Sequence, residues 1–220
     1  HAKKREAVPG MLIVSVSGPA YPIGFGGGTA SSGASSTEEG DQNSVQRADP
    51  ERENCINRVF QSCVELGNKN PVELVHDQGA GGKSNVDTEL AEKTGGVIRL
   101  RNVVLSDSSM SDAQIWVCEY QEGYGVLVKP ENLAVLQMLC AREGANCEIL
   151  GEITGNKRIV VYGRNDDEIV NLSLPDVLTD LPRQRRELVR VKHPLKPLAL
   201  PADLTIARAL EMVCRLPSVA

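Results

Sequence analysis

The segment from Val75 to Gly82, Val-His-Asp-Gln-Gly-Ala-Gly-Gly, constrains the fold more than any other part of the chain. It follows an apolar run at 71–75 that predicts a buried strand, and it precedes a polar, helix-compatible run from Ser84. Three glycines in four residues let the backbone approach a phosphate, while Asp77 at the strand end can hold a divalent cation against it. The segment therefore predicts a strand–loop–helix unit with a ligand-binding loop.

Asp77 itself has two interpretations. A strand-end Asp often caps the turn that follows it. Alternatively, Asp77 binds Mg²⁺, a hard cation that proteins hold with one or two carboxylates plus substrate phosphates. The neighbouring glycines favour the metal. A P-loop is disfavoured, although Gly82-Lys83-Ser84 matches its end, because Asp77 stands where the first glycine of that motif belongs.

Bulk composition excludes several classes of function. The chain has 220 residues, a formal net charge of −5 and 3% aromatic residues, which argues against nucleic-acid binding through either phosphates or stacked bases. No apolar run is long enough for a membrane span. The six cysteines include no C-x-x-C pair and predict buried free thiols of a reducing compartment, and no signal peptide is readable, so we expect a cytoplasmic protein.

Hydrophobic periodicity predicts alternating strands and helices without a fixed-period repeat, an α/β (α+β) fold with a mixed sheet flanked by helices. Asp49-Pro50 predicts a helix start, with Asp as N-cap and Pro at the first helical position. We expect a lobe at 1–174 that includes a Gly-rich loop at 18–36, then a linker and an amphipathic helix at 175–220. The other expected strands are 11–16, 97–101, 124–129, 147–153, 158–162 and 168–172, and the other expected helices are 85–93, 111–118, 130–142 and 204–216.

Three further segments could contact a ligand. The loop at 18–36 has the composition of a linker, but Tyr21, Ile23 and Phe25 between its glycines favour an ordered ligand loop. Thr29 breaks the dinucleotide-binding fingerprint there. The run 119–122 is either a solvated turn or a set of hydrogen-bonding groups at a strand entrance. Gln46, just before a helix start, is a similar and weaker signal.

Several motifs in the same order resemble the phosphoribosylformylglycinamidine synthase family, the large amidotransferase-fused form of purine biosynthesis. The resemblance covers nearly the whole chain. It rests on the segments 1–4, 9–11, 18–21, 23–32, 44–47, 49–50, 76–82, 119–122, 151–155, 204–207 and 216–220, whereas Pro22 departs from the family pattern. Within that family the chain is similar to the C-terminal lobe of the first synthetase repeat, and its fold is expected to be like the C-terminal domain of aminoimidazole ribonucleotide synthetase.

The resemblance implies a reaction and a set of site residues. Members of the family convert formylglycinamide ribonucleotide, glutamine and ATP to the amidine, with ATP as co-substrate and Mg²⁺ neutralising the phosphates. By resemblance, Asp77 is the magnesium ligand and Gln46 binds substrate. Glu119, Tyr120 and Gln121 form a substrate-contacting triplet. The loop residues expected to border the substrate phosphate are Gly26, Gly27, Gly28 and Ser31.

The resemblance also implies partners and leaves alternatives open. An ATP-binding half-domain, a second repeat and a glutaminase domain are expected elsewhere in the enzyme, so the isolated lobe is expected to be inactive. One alternative is a non-catalytic ligand-binding or scaffold lobe in which Asp77 only caps a turn. Another is a lobe of a related ribonucleotide or selenophosphate synthetase.

Overall fold

The computed structural model describes residues 6–25, 49–178, 185, 187–191, 197 and 199–216. The chain divides into two compact units, His1–Leu181 and Pro182–Ala220. The predicted boundary at 174–175 lies at the start of a short helix in the first unit.

One seven-stranded sheet organises the first unit, in the order β2-β4-β1-β5-β3-β6-β7. β3 and β6 pair in parallel, and the other neighbouring strands are antiparallel. This confirms the predicted mixed sheet. The strands are β1 Leu12–Ser17, β2 Val72–Asp77, β3 Gly96–Arg99, β4 Gly123–Val128, β5 Asn146–Ile153, β6 Arg158–Tyr162 and β7 Glu168–Ser173.

Local capping signals define several helix ends. The Asp49 side chain accepts a hydrogen bond from Arg52 N at 3.2 Å, as the predicted N-cap requires. Ser111 and Gln114 form a reciprocal capping box. The α-helices in the described residues of this unit are α1 Pro50–Glu65, α2 Gly82–Ala91, α3 Asp112–Val117, α4 Leu133–Glu143 and α5 Leu174–Leu178.

Two hydrophobic clusters cover the two faces of the sheet, and β1 contributes to both. Val14 and Val16 pack with Ile56 of α1 and Leu136 of α4. Ile13 points the other way and packs in the cluster that contains Leu90 of α2 and Ile115 of α3. Because side chains alternate along a strand, Ser15 and Ser17 share the Ile13 face, where both are buried. A polar strip therefore runs under α2.

Some expectations about the fold are corrected. α2 begins at Gly82 rather than Asn85, because Gly81 supplies a left-handed residue with φ 82° just before it. α5, whose Leu174 is buried, was not predicted. The cysteines are all free, but Cys214 is exposed and Cys55 and Cys147 are only partly buried.

In the second unit, α6 spans Ile206–Cys214. The Thr205 side chain caps it by accepting a hydrogen bond from Arg208 N at 3.2 Å. Several of its apolar side chains are exposed, including Ile206 and Leu210. The predicted amphipathic helix is therefore present, four residues shorter than the expected 204–216 span.

Candidate functional site

An acidic cleft of about 490 Å³ lies where β2 ends, β4 begins and α1 starts. Among the described residues, its lining contains four carboxylates and no lysine, arginine or histidine. Its lining residues are Asp49, Pro50, Glu53, Asp77, Gln78, Gln121, Glu122, Gly123 and Tyr124. A cleft of this charge repels a bare phosphate and attracts a hard cation.

Asp77 is exposed in this cleft as the last residue of β2, opposite Tyr124 on β4. The prediction that it faces a ligand site is consistent with that position. Within the described ranges, no three His, Cys, Asp or Glu side chains converge in a geometry that could hold a metal ion. A cation here would therefore need further ligands, and substrate phosphates and water are the usual ones for Mg²⁺.

Gln121 is the one member of the predicted triplet that lines the cleft together with Asp77. Glu119 is buried, and its Oε1 accepts a hydrogen bond from Gly81 N at 2.8 Å. The Tyr120 ring is also buried, and its backbone oxygen accepts a hydrogen bond from Gln78 Nε2 at 2.7 Å. Glu119 and Tyr120 thus tie their segment to the glycine loop rather than line the acidic cleft.

Two glycines allow close approach to other parts of the chain. A Cβ on Gly82 would overlap the Cys118 carbonyl oxygen, and one on Gly24 would overlap the Glu119 side chain. Both glycines also have positive φ, 55° and 70°. Glu119 N also donates a hydrogen bond at 2.9 Å to the backbone oxygen of Ile23, the residue before Gly24. The segment at 118–119 is therefore held between two glycine-containing loops. Gly82 allows its loop to pack against Cys118.

Lys83 is the main feature that sequence reasoning missed. Its side chain is completely buried, and its Nζ donates to Ser15 Oγ at 2.9 Å and lies 3.6 Å from Glu148 Oε2. The ammonium also lies 5.3 Å from the centroid of the Tyr120 ring. A P-loop lysine must reach a phosphate, so this burial agrees with the sequence argument against a P-loop.

Burial and neighbouring charges shift the pKa values of Lys83, Asp87 and Glu148. Burial alone would lower the pKa of Lys83, but Tyr120, Glu148 and Asp87 outweigh it and raise that pKa above its ordinary value. Burial raises the pKa of Asp87 to about 7, opposed by Lys83 and reinforced by Glu148. Burial also raises the pKa of Glu148, against the opposing charge of Lys83. One ammonium cannot balance two buried carboxylates, so Asp87 keeps its proton to a higher pH than an ordinary Asp, while Glu148 lies at ion-pair distance from Lys83.

A helical pattern could have revealed this cluster. Lys83, Val86, Asp87 and Leu90 follow i, i+3, i+4, i+7 spacing, and all four are buried. The two charged residues therefore lie on the same stripe as the apolar residues that face the sheet. The other predicted site residues, Gln46, Gly26, Gly27, Gly28 and Ser31, lie outside the described residues.

The model of the family described as AIR synthase related protein, C-terminal domain, matches residues 8–164. The chain belongs to this family. The match covers the sheet through β6, the acidic cleft and the Lys83 cluster. It agrees with the fold expected from the sequence.

Curated relatives share a more specific name. The chain is 39% identical over 233 residues to a probable phosphoribosylformylglycinamidine synthase, chloroplastic/mitochondrial, of Arabidopsis thaliana, which covers 100% of this chain and 17% of that protein. It is 39% identical over 239 residues to the human phosphoribosylformylglycinamidine synthase, covering 100% of this chain and 18% of that protein. The chain therefore spans less than a fifth of the length of these relatives.

Solved structures show the same fold. Phosphoribosylformylglycinamidine synthase II from Thermotoga maritima is similar with a TM-score of 0.72 and 22% identity, over 89% of this chain and 30% of that chain. T. maritima PurL complexed with FGAR is similar with a TM-score of 0.74 and 24% identity, over 87% of this chain and 31% of that chain. In the described part of this chain, no helix has the length and apolar character that crossing a membrane requires.

Proposed function

We propose that this chain is part of a phosphoribosylformylglycinamidine synthase, an ATP-dependent ligase that forms a C–N bond in purine biosynthesis. The observation that carries the proposal is 39% identity along the whole chain to two synthases from distant organisms. Because the chain spans 17% of the length of the Arabidopsis relative, the activity requires the rest of such an enzyme. Its proposed partners are an ATP-binding half-domain, a second repeat and a glutaminase domain.

The acidic cleft supports the presence of a divalent cation in the reaction. A triphosphate or a ribonucleotide phosphate approaching Asp49, Glu53 and Asp77 would be repelled by their charges. We propose that Asp77 holds Mg²⁺, because its carboxylate is exposed at the end of a strand and lines the acidic cleft. When bound, Mg²⁺ neutralises phosphate charge during phosphoryl transfer.

The other roles follow from the positions of the side chains. Gln121 lines the cleft together with Asp77, and we propose that its amide hydrogen-bonds formylglycinamide ribonucleotide. Glu119 and Tyr120 support it from the buried side of the segment. Gln46 as a further substrate contact, and Gly26, Gly27, Gly28 and Ser31 as a phosphate-bordering loop, remain proposals from the resemblance. A cytoplasmic location remains a proposal from the cysteine usage.

The direct test is turnover by the full-length enzyme that carries this chain. Supplied with formylglycinamide ribonucleotide, ATP, Mg²⁺ and glutamine, it is expected to release ADP and phosphate and to form the amidine. Gln121→Leu should raise the KM for the ribonucleotide at least about tenfold, because the proposed hydrogen bond to the ribonucleotide is lost. Gln61→Leu, on the exposed side of α1, is the matched control and should leave that KM unchanged. An absence of amidine formation by the parent enzyme would favour the non-catalytic lobe.

A further inference from the structure

Buried Lys83 connects its own helix with three other parts of the lobe. Lys83 follows the glycine loop in α2, Ser15 belongs to β1, Glu148 belongs to β5, and Tyr120 belongs to the segment that leads into the cleft. All four are buried. Glu148 is fixed in turn, because its Oε1 accepts a hydrogen bond from Val104 N at 3.1 Å. The ammonium is therefore held from the sheet side while the Tyr120 ring lies against it.

Stability alone is a poor reason for this arrangement. Removing two charges from water is costly, and apolar residues of similar volume usually stabilise a fold as well as a buried ion pair does. The best attested use of a buried ion pair is to fix one arrangement among several. A buried ammonium beside an aromatic ring also constrains the ring, because the attraction is strongest over its face.

The surroundings of Lys83 show which arrangement would be fixed. The glycine loop ahead of it begins at Asp77, and the segment containing Tyr120 continues into Gln121. Gln78 and Gly81 of the loop already bond to Tyr120 and Glu119. Lys83 adds a contact from the sheet side, where its ammonium lies against the Tyr120 ring. The distance between Asp77 and Gln121, which both line the cleft, therefore depends on the position of that ring.

We infer that Lys83 is a positioning residue of the synthase, which holds the Tyr120 segment so that Gln121 and Asp77 face one cleft. The inference rests on the proposed function. It assigns Lys83 no contact with phosphate or substrate, in contrast to a P-loop lysine. It also gives Tyr120 an indirect role, through the placement of Gln121, rather than contact with substrate in the acidic cleft.

The test uses the full-length enzyme and two variants at Lys83. Lys83→Met removes the ammonium and leaves Glu148 unpaired, so it is expected to lower the melting temperature and to raise the KM for the ribonucleotide at least about tenfold. Lys83→Met with Glu148→Gln removes the unpaired charge while the Gln oxygen can still accept from Val104 N. The double variant should recover most of the melting temperature but keep the raised KM. Lys93→Met, an exposed lysine just beyond α2, is the control and should match the parent.

The outcomes separate the inference from the proposed function. An active parent whose folded double variant has a KM within about twofold of the parent value would overturn the inference and make Lys83 a purely structural residue. A rise in the KM for glutamine in glutamine hydrolysis, equal to that for the ribonucleotide, would also overturn it, because positioning acts on the ribonucleotide site alone. A parent that forms no amidine would overturn the proposed function, and the inference with it.

Discussion

Asp87 makes the stability of the lobe depend on pH in an unusual direction. The carboxyl is buried in α2, and burial raises its pKa to about 7 from an ordinary value of 3.8, with Lys83 opposing the rise and Glu148 adding to it. Its folded pKa therefore lies above its unfolded pKa, and the folded state binds the proton more tightly. The stabilisation from this group is fully present below about pH 4 and is lost as the pH rises through about 7.

The size of this pH dependence is that of one proton bound by the folded state and released by the unfolded state. Between those two pKa values the free energy of unfolding should fall by about 1.4 kcal/mol per pH unit. Over the whole interval the loss is on the order of 4 kcal/mol, a large share of the stability of a typical domain. Ordinary surface carboxylates that pair with basic groups act in the opposite sense, because pairing lowers their folded pKa.

Urea unfolding of the 220-residue chain and its Asp87→Asn variant, measured from about pH 5 to about pH 7, tests this account. Asn resembles the protonated carboxyl in shape and carries no titrating proton. The variant should lose the downward slope, so that its stability relative to the parent improves by about 1 kcal/mol for each pH unit of the rise. Glu92→Gln, at the exposed end of the same helix, is the control and should keep the parent slope. Equal slopes for Asp87→Asn and the parent would refute the assignment of a raised pKa.

Two further substitutions test the contacts around the glycine loop. Gly82→Ala should lower the free energy of unfolding by more than about 1 kcal/mol, because its φ is positive and its Cβ would overlap Cys118 O, whereas Gly79→Ala has open space around it and should be nearly neutral in thermal unfolding. Gln78→Leu should lower stability by about 1 to 3 kcal/mol by leaving the buried Tyr120 oxygen without its donor. In the full-length enzyme the same variant should raise the KM for the ribonucleotide, and an unchanged melting temperature together with an unchanged KM would contradict the described contact.

Local signals predicted most strands and helices because their causes lie close in the sequence. β1 is read from a continuous β-branched run, and the start of α1 is read from Asp49 and Pro50. The mixed character of the sheet was expected, but its order was not, since β1 pairs with β4 and β5, more than 100 residues away. Strand pairing over that distance leaves no local pattern.

The site was only partly predictable for the same reason. Asp77 and Gln121 were selected from motifs and do share a cleft. The sequence could not show that Glu119 would bond Gly81 across 38 positions, or that Asp49 N would donate to Glu122 Oε1 across 73 positions at 3.0 Å. Lys83 was considered only as part of a segment that resembles the end of a P-loop, and its burial was not expected, since a charged residue is usually solvated. Its partners, Ser15 and Glu148, lie on strands far away in the chain.

We propose that Asp77 serves an ATP-dependent ligase through a divalent cation. The most direct measurement is amidine formation by the full-length enzyme with Asp77→Asn, beside Asp167→Asn, an exposed residue in the turn between β6 and β7, as the control. The account predicts that Asp77→Asn lowers amidine formation at least about a hundredfold, while glutamine hydrolysis and the activity of the control stay near those of the parent. Amidine formation by Asp77→Asn at the parent rate, at saturating Mg²⁺, would contradict it.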